Sequence, residues 1–400
     1  ITNNIADVWY NMCEPGSAQP FSRSRENAMN QGTTMLHHVF TALLLLQCAA
    51  WAKWTAPVIE DANGGTNAVS AAYYPGIATD GAGNAVMVWV ESDGTCNRIM
   101  ARCYSEPTGW ADTIDIIDAA NGFAAFDPEI VYDGMGNYFA VWVQNDGTTD
   151  RIFYAKHNGS SWNTATTCDA NNGNPATSPS LASNMNGHVF LAFKGTAGSN
   201  YRIYVRRWAS GWQAAETADA GAGYSADSPH VASYNVASQE FLLVFEQYDG
   251  AYTRVYGNYY NGTWSGAALL DTAAAASAAY PEVAMYSATK GMAVFKDGSR
   301  FYAREFNGTD WTSQPTIPID PATNTNPYQC RVVYNAVGNA CAVFRITDGT
   351  QKLFANIFTT AWGAPVEVSD NTAGSPLSFD VTAFNDSFYV VFEQDVSGID

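Results

Sequence analysis

A repeat of about 50 residues constrains the fold of this chain more than any other feature of its sequence. A proline followed by an apolar run recurs from Pro75 to Pro376 at intervals of 46–53 residues. A tryptophan series keeps the same period and comprises Trp54, Trp110, Trp162, Trp212, Trp264, Trp311 and Trp362. Two markers in step argue against chance repetition, and a period of this size is typical of solenoids and propellers.

Each repeat predicts four strands. A short apolar strand follows the proline, and a glycine-containing turn such as residues 133–137 leads to a strongly apolar second strand such as residues 139–142. An Asp-Gly turn precedes an alternating third strand, and an Asn-Gly turn precedes a fourth strand headed by the tryptophan. Four strands in about 50 residues, repeated radially, indicate the blade of a β-propeller.

The repeats therefore predict an all-β, seven-bladed propeller of four-stranded antiparallel blades over residues 53–400. The seventh repeat reaches Asp400 with only two strands, so we interpret the last blade as truncated. We expect the strand near Trp54 to close the ring as the fourth strand of that blade. Its third strand would then lie beyond Asp400.

The repeat pattern resembles that of secreted bacterial seven-bladed propellers, in which Pro-x-Ile-Ala-x-Asp-x-x-Gly-Asn is followed by Val-Trp, Asp-Gly and Trp. The resemblance covers residues 53–400 and implies the fold. It does not specify the function, because many activities share the propeller.

The segment before the repeats has a different character. Residues 1–34 are polar and irregular, and we interpret them as a leader outside the domain. Residues 35–52 have the form of a signal peptide: residues 39–46 are apolar but too short to span a bilayer, and Ala50-Trp51-Ala52 matches a cleavage site. The alternative is a short buried helix. The signal predicts a secreted or cell-surface protein without a stable membrane span.

Charge excludes some partners. The chain has 19 Lys and Arg against 38 Asp and Glu, a net charge of −19. Nucleic acids and anionic membranes are bound by basic surfaces, so both are disfavoured. Nothing in the sequence indicates an oligomeric state.

A periodic arginine is the candidate binding feature. It opens the third strand of five repeats and comprises Arg98, Arg151, Arg202, Arg254 and Arg300. An acid or amide ends the preceding strand, as in Glu91, Gln144, Glu246 or Gln247, and Glu393. Guanidinium and carboxylate groups share hydrogen bonds with sugar hydroxyls, and a nearby aromatic ring stacks on the apolar sugar face. The alternative is a structural arginine paired with the turn aspartate of its own hairpin.

This set is similar to that of the fucose-binding propeller lectins, which typically have six blades. The similarity implies non-catalytic carbohydrate binding, and a protein-binding or structural scaffold is the second hypothesis. A sialidase-like glycoside hydrolase is the third, because the Ser-x-Asp-x-Gly-x-x-Trp box is absent from every repeat. No cofactor is indicated; Ca²⁺ at the acidic turns is an alternative to solvated turn aspartates, and its ligands are unknown.

Overall fold

The computed structural model describes residues 10–12, 19–20, 73–106, 108–169, 173–221, 223–272, 274–312, 318–321, 328–348, 350–369 and 376–394. Within these residues the protein is all-β, with no helix and seven antiparallel sheets, here numbered 1 to 7 along the chain. The expected all-β fold built from antiparallel blade-like sheets is confirmed.

Every sheet begins with two long strands. The first strands of sheets 1–7 are Tyr73–Thr79, Ala125–Tyr132, Ala176–Ser183, Ala226–Ser233, Ala278–Ser287, Gln329–Tyr334 and Pro376–Phe384. The second strands are Asn84–Ser92, Tyr138–Asn145, Val189–Ala197, Phe241–Tyr248, Lys290–Asp297, Ala340–Asp348 and Ser387–Gln394. The second strands are the most apolar and lie in the core.

Third strands follow in sheets 1–6 and are Asn97–Ser105, Asp150–His157, Asn200–Trp208, Thr253–Tyr260, Arg300–Phe306 and Thr350–Phe358. The outermost strands are two residues long: Gly109–Trp110 and Asp115–Ile116 in sheet 1, Thr166–Thr167, Glu216–Thr217, Ala268–Leu269 and Val366–Glu367 in sheets 2, 3, 4 and 6. Three strands of sheet 5 fall within the described residues.

The predicted fourth strand is shorter than expected. In sheets 2 to 6 the tryptophan that should head it makes one isolated bridge to the last residue of the third strand, as Trp264 does to Tyr260. The indole packs on the aromatic ring of that residue, with a centroid separation of 5.2 Å for this pair. The tryptophan series therefore marks a packing position between the third strand and the short outermost strand.

Sheet 7 draws its outer strands from the start of the chain. Tyr10–Met12 pairs antiparallel with the second strand, with Tyr10 opposite Val390, and Gln19–Pro20 pairs with Tyr10–Met12. The expected closing strand near Trp54 lies outside the described residues. The residues beside Phe388 to Val390 thus come from the segment that the sequence assigned to a leader.

The strand register corrects the proline marker in the last two repeats. A bulge interrupts the first strand before Glu282, which lies opposite Val294, and Pro281 precedes this residue. In sheets 6 and 7 the equivalent residues are Arg331 and Asp380, opposite Val343 and Val391. Cys330 and Phe379 therefore occupy the proline position, three residues after the prolines that the sequence pattern selected.

The core consists of layers between neighbouring sheets. Each of six apolar clusters joins two consecutive sheets, from sheets 1 and 2 to sheets 6 and 7. Phe241 of sheet 4 stacks on Phe190 of sheet 3 at 4.5 Å, for example, and both are fully buried. Burial of such rings on both faces of a sheet is the main source of stability in a repeat fold.

The turns between first and second strands connect neighbouring sheets at one end of the molecule. Asp133 accepts hydrogen bonds from the backbone amides of Met135 and Asn137 and closes its own turn. The backbone carbonyl of Asp133 accepts a hydrogen bond from the amide of Gly187, in the turn of sheet 3. This contact leaves no space at Gly134, where a Cβ would lie 1.9 Å from the carbonyl oxygen of Met185.

We predict that Gly134→Ala destabilises the fold much more than Gly136→Ala. Both glycines have a positive φ, so each alanine suffers the same left-handed strain of about 1–2 kcal/mol. Only Gly134 meets the backbone of the next sheet; a Cβ at Gly136 meets nothing within 4 Å. Urea unfolding should show an additional loss of about 2 kcal/mol or more for Gly134→Ala. Equal losses in the two variants would contradict the described contact between the turns.

Candidate functional site

The periodic arginines are held by a second periodic residue, an aspartate that follows the short outermost strand. The five pairs are Arg98–Asp118, Arg151–Asp169, Arg202–Asp219, Arg254–Asp271 and Arg300–Asp320. The same aspartate accepts the backbone amide of the residue after the arginine; the Ile99 amide, for example, donates to Asp118 at 2.8 Å. The pair thus joins the third strand to the loop that leads to the next sheet.

Three of the arginines also bind the turn aspartate of their own hairpin. Arg98, Arg151 and Arg254 contact Asp93, Asp146 and Asp249, in that order. Hydrogen bonds from Thr148, Thr149 and Arg151 hold the pKa of the Asp146 carboxyl well below its usual range. The guanidinium groups therefore already donate to carboxylates, and Arg151 and Arg254 are buried. This geometry favours the structural alternative for the arginine series.

Glu91 and Gln144 also make structural contacts, at the end of the second strand. Both are buried and accept a hydrogen bond from the indole of the tryptophan two residues earlier, Trp89 and Trp142. The amide of Gln144 also donates to the backbone carbonyl of Ala119 at 2.9 Å. Because Ala119 follows Asp118, the loop between sheets 1 and 2 is fastened to both sheets.

Glu246 lies one residue before the position that matches Gln144. The matching residue is Gln247, whose amide donates to the backbone carbonyl of Gly221 at 2.7 Å. Glu246 instead accepts the backbone amide of Tyr280, in the first strand of sheet 5, at 2.9 Å. Burial raises the pKa of the Glu246 carboxyl. Glu246 therefore links two sheets and does not join a repeated set with Glu91 and Gln144.

A different arginine, acid and indole meet in the groove between sheets 3 and 4. Arg207 donates to the Glu216 carboxylate and to the hydroxyl of Tyr260, and its guanidinium lies over the Tyr260 ring, 4.4 Å from the centroid. The indole Nε1 of Trp264 donates to the other oxygen of Glu216 at 2.9 Å. Gln239 accepts a hydrogen bond from Arg207 at 3.0 Å. We call these five residues the sheet 3–4 groove.

The groove combines charge with access from solvent. The side chain of Glu216 is 36% exposed and that of Arg207 14%. In the neighbouring sheets 2 and 3 the equivalent indoles, Trp162 and Trp212, have no hydrogen-bond partner for Nε1 among the described residues. The hydrogen bond from Trp264 to a charged acceptor thus distinguishes this groove from the positions of Trp162 and Trp212.

Sequence reasoning missed this set because its members are far apart in the chain. Arg207 lies five residues beyond the periodic Arg202, and Trp264 is 48 residues beyond Glu216. Trp264 belongs to the periodic series, which predicted only a packing role. The departure of Arg207 and Glu216 from the corresponding residues of other repeats, such as Lys156 and Thr166 in sheet 2, was the available signal.

A second cluster forms where the first strands meet. The residue after the proline position varies in chemistry between repeats: it is Gly76, Glu129, Ser180, His230, Glu282, Arg331 and Asp380. We call the six residues from Glu129 to Asp380 the first-strand cluster. These six residues differ in chemistry although the residues around them repeat. Aligning the last two repeats on Pro327 and Pro376 obscured this variation.

Ion pairs connect this cluster across the sheets. Arg331 donates to Glu282, and its Nε lies 3.8 Å from an oxygen of Asp380. His230 Nδ1 lies 3.5 Å from Glu282. The carboxylate of Glu129 accepts the backbone amide of Leu181 at 3.1 Å. These contacts connect first-strand residues of sheets 4, 5, 6 and 7, and they tie Glu129 of sheet 2 to sheet 3.

Burial dominates the protonation of the first-strand cluster. It raises the pKa of Glu129 to about 7, against the lowering effects of the Leu181 amide and the Arg331 charge. Burial also lowers the pKa of His230.

Metal and membrane sites are not evident in the part of the chain that the structure describes. No group of three or more His, Cys, Asp or Glu residues is arranged there to hold a metal ion. No helix of the described residues is long and apolar enough to cross a membrane.

The fold is similar to solved propeller structures at low sequence identity. The BP39L lectin from Burkholderia pseudomallei is 13% identical with a TM-score of 0.53, covering 77% of this chain and 88% of that chain. A variant of the Aleuria aurantia lectin bound to α-methyl-L-fucoside is 12% identical with a TM-score of 0.43, covering 74% of this chain and 96% of that one. The Hadza microbial sialidase Hz136 is 11% identical with a TM-score of 0.41, covering 68% of this chain.

The chain covers 63% of the length of that sialidase, less than two thirds. No family model and no curated protein matches the sequence. At these identities the similarity shows the fold alone, and the BP39L lectin, at a TM-score of 0.53, confirms the expected resemblance to propeller proteins.

We predict that Glu129→Gln stabilises the protein at pH 8 and not at pH 5. The folded protein retains a proton on Glu129 up to about pH 7, whereas an unfolded glutamate releases it near its usual pKa of about 4.3. Stability from this group is therefore present at low pH and is lost as the pH rises from about 4 through 7. Urea unfolding should show a gain of about 1–3 kcal/mol for the variant at pH 8.

Glu106→Gln, which removes one carboxyl group from an exposed position, is the matched control. A Glu129→Gln variant whose stability relative to wild type is independent of pH would contradict a protonated Glu129.

Proposed function

We propose that the chain is a carbohydrate-binding propeller and that it binds sugar in the sheet 3–4 groove. The carrying observation is the junction of Arg207, Glu216 and Trp264, which joins a charged donor, a charged acceptor and an indole at one partly exposed place. The sequence predicts the same combination of groups at the periodic arginines. The groove supports it better, because the Glu216 side chain is 36% exposed, whereas the aspartates that follow the outermost strands and pair with the periodic arginines are at most 2% exposed.

The chemistry of the groove suits a hydroxyl-rich, uncharged ligand. A carboxylate accepts hydrogen bonds from two neighbouring hydroxyls, and a guanidinium donates to their oxygens in a fixed planar fork. Arg207 and Glu216 nearly neutralise each other, so the groove has little preference for a charged ligand. Trp264, which is half-buried, supplies the apolar surface on which the carbon face of a sugar ring packs.

The proposal includes a closed ring of seven blades and a secreted or cell-surface location. The consecutive contacts between first strands from sheet 1 to sheet 7 support the ring. The contacts among first-strand residues of sheets 4, 5, 6 and 7 support it further. The location rests on residues 35–52 and on the resemblance to secreted propellers, and those residues lie outside the described part of the chain.

We predict that a glycan array detects sugar binding by the chain and that Glu216→Gln weakens it by about tenfold or more. The substitution keeps the size of the side chain but removes the charge that accepts hydroxyl hydrogen bonds, which is worth about 1.5–3 kcal/mol. Lys156→Met is the matched control, because Lys156 occupies the position of Arg207 in sheet 2 and lies 5.7 Å from the Trp208 ring. It should leave binding unchanged.

Two outcomes would overturn this assignment. A silent array with folded protein would favour a protein-binding scaffold in place of a lectin. Binding that survives Glu216→Gln but is lost in Arg98→Ala or Arg202→Ala would return the site to the periodic arginines.

A further inference from the structure

Three exposed tyrosines meet at the end of sheets 3 and 4 that lies opposite the sheet 3–4 groove. They are Tyr201, Tyr224 and Tyr248, whose exposed fractions are 47%, 46% and 43%. We call them the tyrosine platform. Tyr201 lies at the start of the third strand of sheet 3 and Arg207 at its end, and six residues of an extended strand span about 20 Å. The platform is therefore separate from the groove.

Ser225 connects the backbones of the three tyrosines. The amide of Tyr201 donates to Ser225 Oγ at 3.1 Å, and the Ser225 carbonyl accepts the amide of Tyr248 at 3.0 Å. Tyr224 precedes Ser225 in the chain, and its own carbonyl accepts the side-chain amide of Gln247 at 3.1 Å. The backbone of the platform is thus fixed before a ligand arrives, which lowers the entropic cost of binding.

The ring of Tyr224 lies across the hairpin turn of sheet 4. A Cβ at Gly250 would lie 2.6 Å from the Tyr224 hydroxyl oxygen, so the missing side chain makes room for the ring. The Tyr248 ring stands perpendicular to the Tyr224 ring, with a centroid separation of 5.6 Å. Because the turn supports one ring and nearly half of each residue remains exposed, the pair offers an apolar surface to a ligand.

This set of tyrosines breaks the repeat. In sheet 2 the matching residues are Asp150, Phe123 and Asn145. Phe123 lies on its own hairpin turn as Tyr224 does, with a ring carbon 3.6 Å from a Cβ built at Gly147. The supported ring is thus a feature of the fold, and the two further tyrosines are a change in chemistry at sheets 3 and 4.

The charged side chains next to the platform are paired. Lys194 Nζ lies 5.2 Å from the centroid of the Tyr201 ring and 2.9 Å from the Asp227 carboxylate. Asp249, in the hairpin turn, binds Arg254 at 2.7 Å. Because these charges neutralise each other, we expect the platform to take an uncharged ligand.

An uncharged ligand with flat apolar faces is a sugar chain whose rings have equatorial hydroxyls. Such a pyranose exposes C–H groups on both faces of the ring, whereas an axial hydroxyl puts a polar group on one face. A cellulose-type glucan has rings of this kind along its whole length. Its apolar faces can stack on tyrosine rings while its equatorial hydroxyls exchange hydrogen bonds with tyrosine hydroxyls.

We propose that the tyrosine platform binds a chain of equatorially substituted pyranoses, such as a cellulose-type glucan, by stacking on Tyr224 and Tyr248. This second ligand site goes beyond the sugar binding proposed for the groove and shares no residue with it.

Isothermal titration calorimetry with cellopentaose and mannopentaose of the same linkage tests the platform. The two probes differ in one hydroxyl per ring, which is axial in mannose. We expect cellopentaose to bind about tenfold or more tightly than mannopentaose, and Tyr224→Ala and Tyr248→Ala each to weaken its binding by about tenfold. Tyr74→Ala is the matched control, because it removes a 61% exposed ring from sheet 1, and it should leave the titration unchanged.

Glu216→Gln separates this site from the groove. If cellopentaose binds in the groove alone, Glu216→Gln weakens its binding and the tyrosine variants do not, which would overturn the proposal. Equal binding of the two pentasaccharides, or no binding of cellopentaose by the folded protein, would overturn it as well. Failure of the groove gives a different result, namely glycan binding that Glu216→Gln does not weaken and Tyr224→Ala does.

Discussion

The repeated arginine–aspartate pair is the interaction on which the rest of the structure depends. Each pair joins the third strand of one sheet to the loop that leads to the next sheet, and the aspartate also accepts a backbone amide from that strand. A buried or half-buried guanidinium and carboxylate tolerate loss of water only because each satisfies the other. In the sixth repeat Lys352 and Glu367 form a looser pair at 3.5 Å, while Ser369 accepts the backbone amide of Leu353.

Repeated and non-repeated side chains have different roles in this account: the first maintain the architecture, and the second form the proposed binding site. Side chains that repeat, such as Arg151 and Gln144, bind neighbouring protein groups and fasten the loops between sheets. Side chains that break the repeat, such as Glu216 in the sheet 3–4 groove and Glu129 in the first-strand cluster, differ in chemistry from their counterparts in other sheets. A repeat fold supplies equivalent positions, and a function then uses the few positions at which selection has changed the chemistry.

The sequence predicts the fold well because the proline and tryptophan series show the repeat of about 50 residues directly. Strand order, the glycine-containing turns and the buried second strands follow from residue spacing and local apolar patterning. The candidate site is less predictable, since Trp264 finds its acceptor 48 residues away and only the packing of sheets 3 and 4 brings them together. Pro327 and Pro376 lie three residues before the true proline positions of the last two repeats. Aligning the repeats on these prolines therefore did not bring Arg331 and Asp380 into register with Glu282.

The most direct measurement of the central claim is the stability and sugar binding of Asp169→Asn. The account predicts that loss of this buried partner of Arg151 lowers the free energy of unfolding by about 3 kcal/mol, while the remaining folded protein binds sugar as wild type does. Unchanged stability with lost sugar binding would contradict the account, because it would make the periodic pair part of the recognition site.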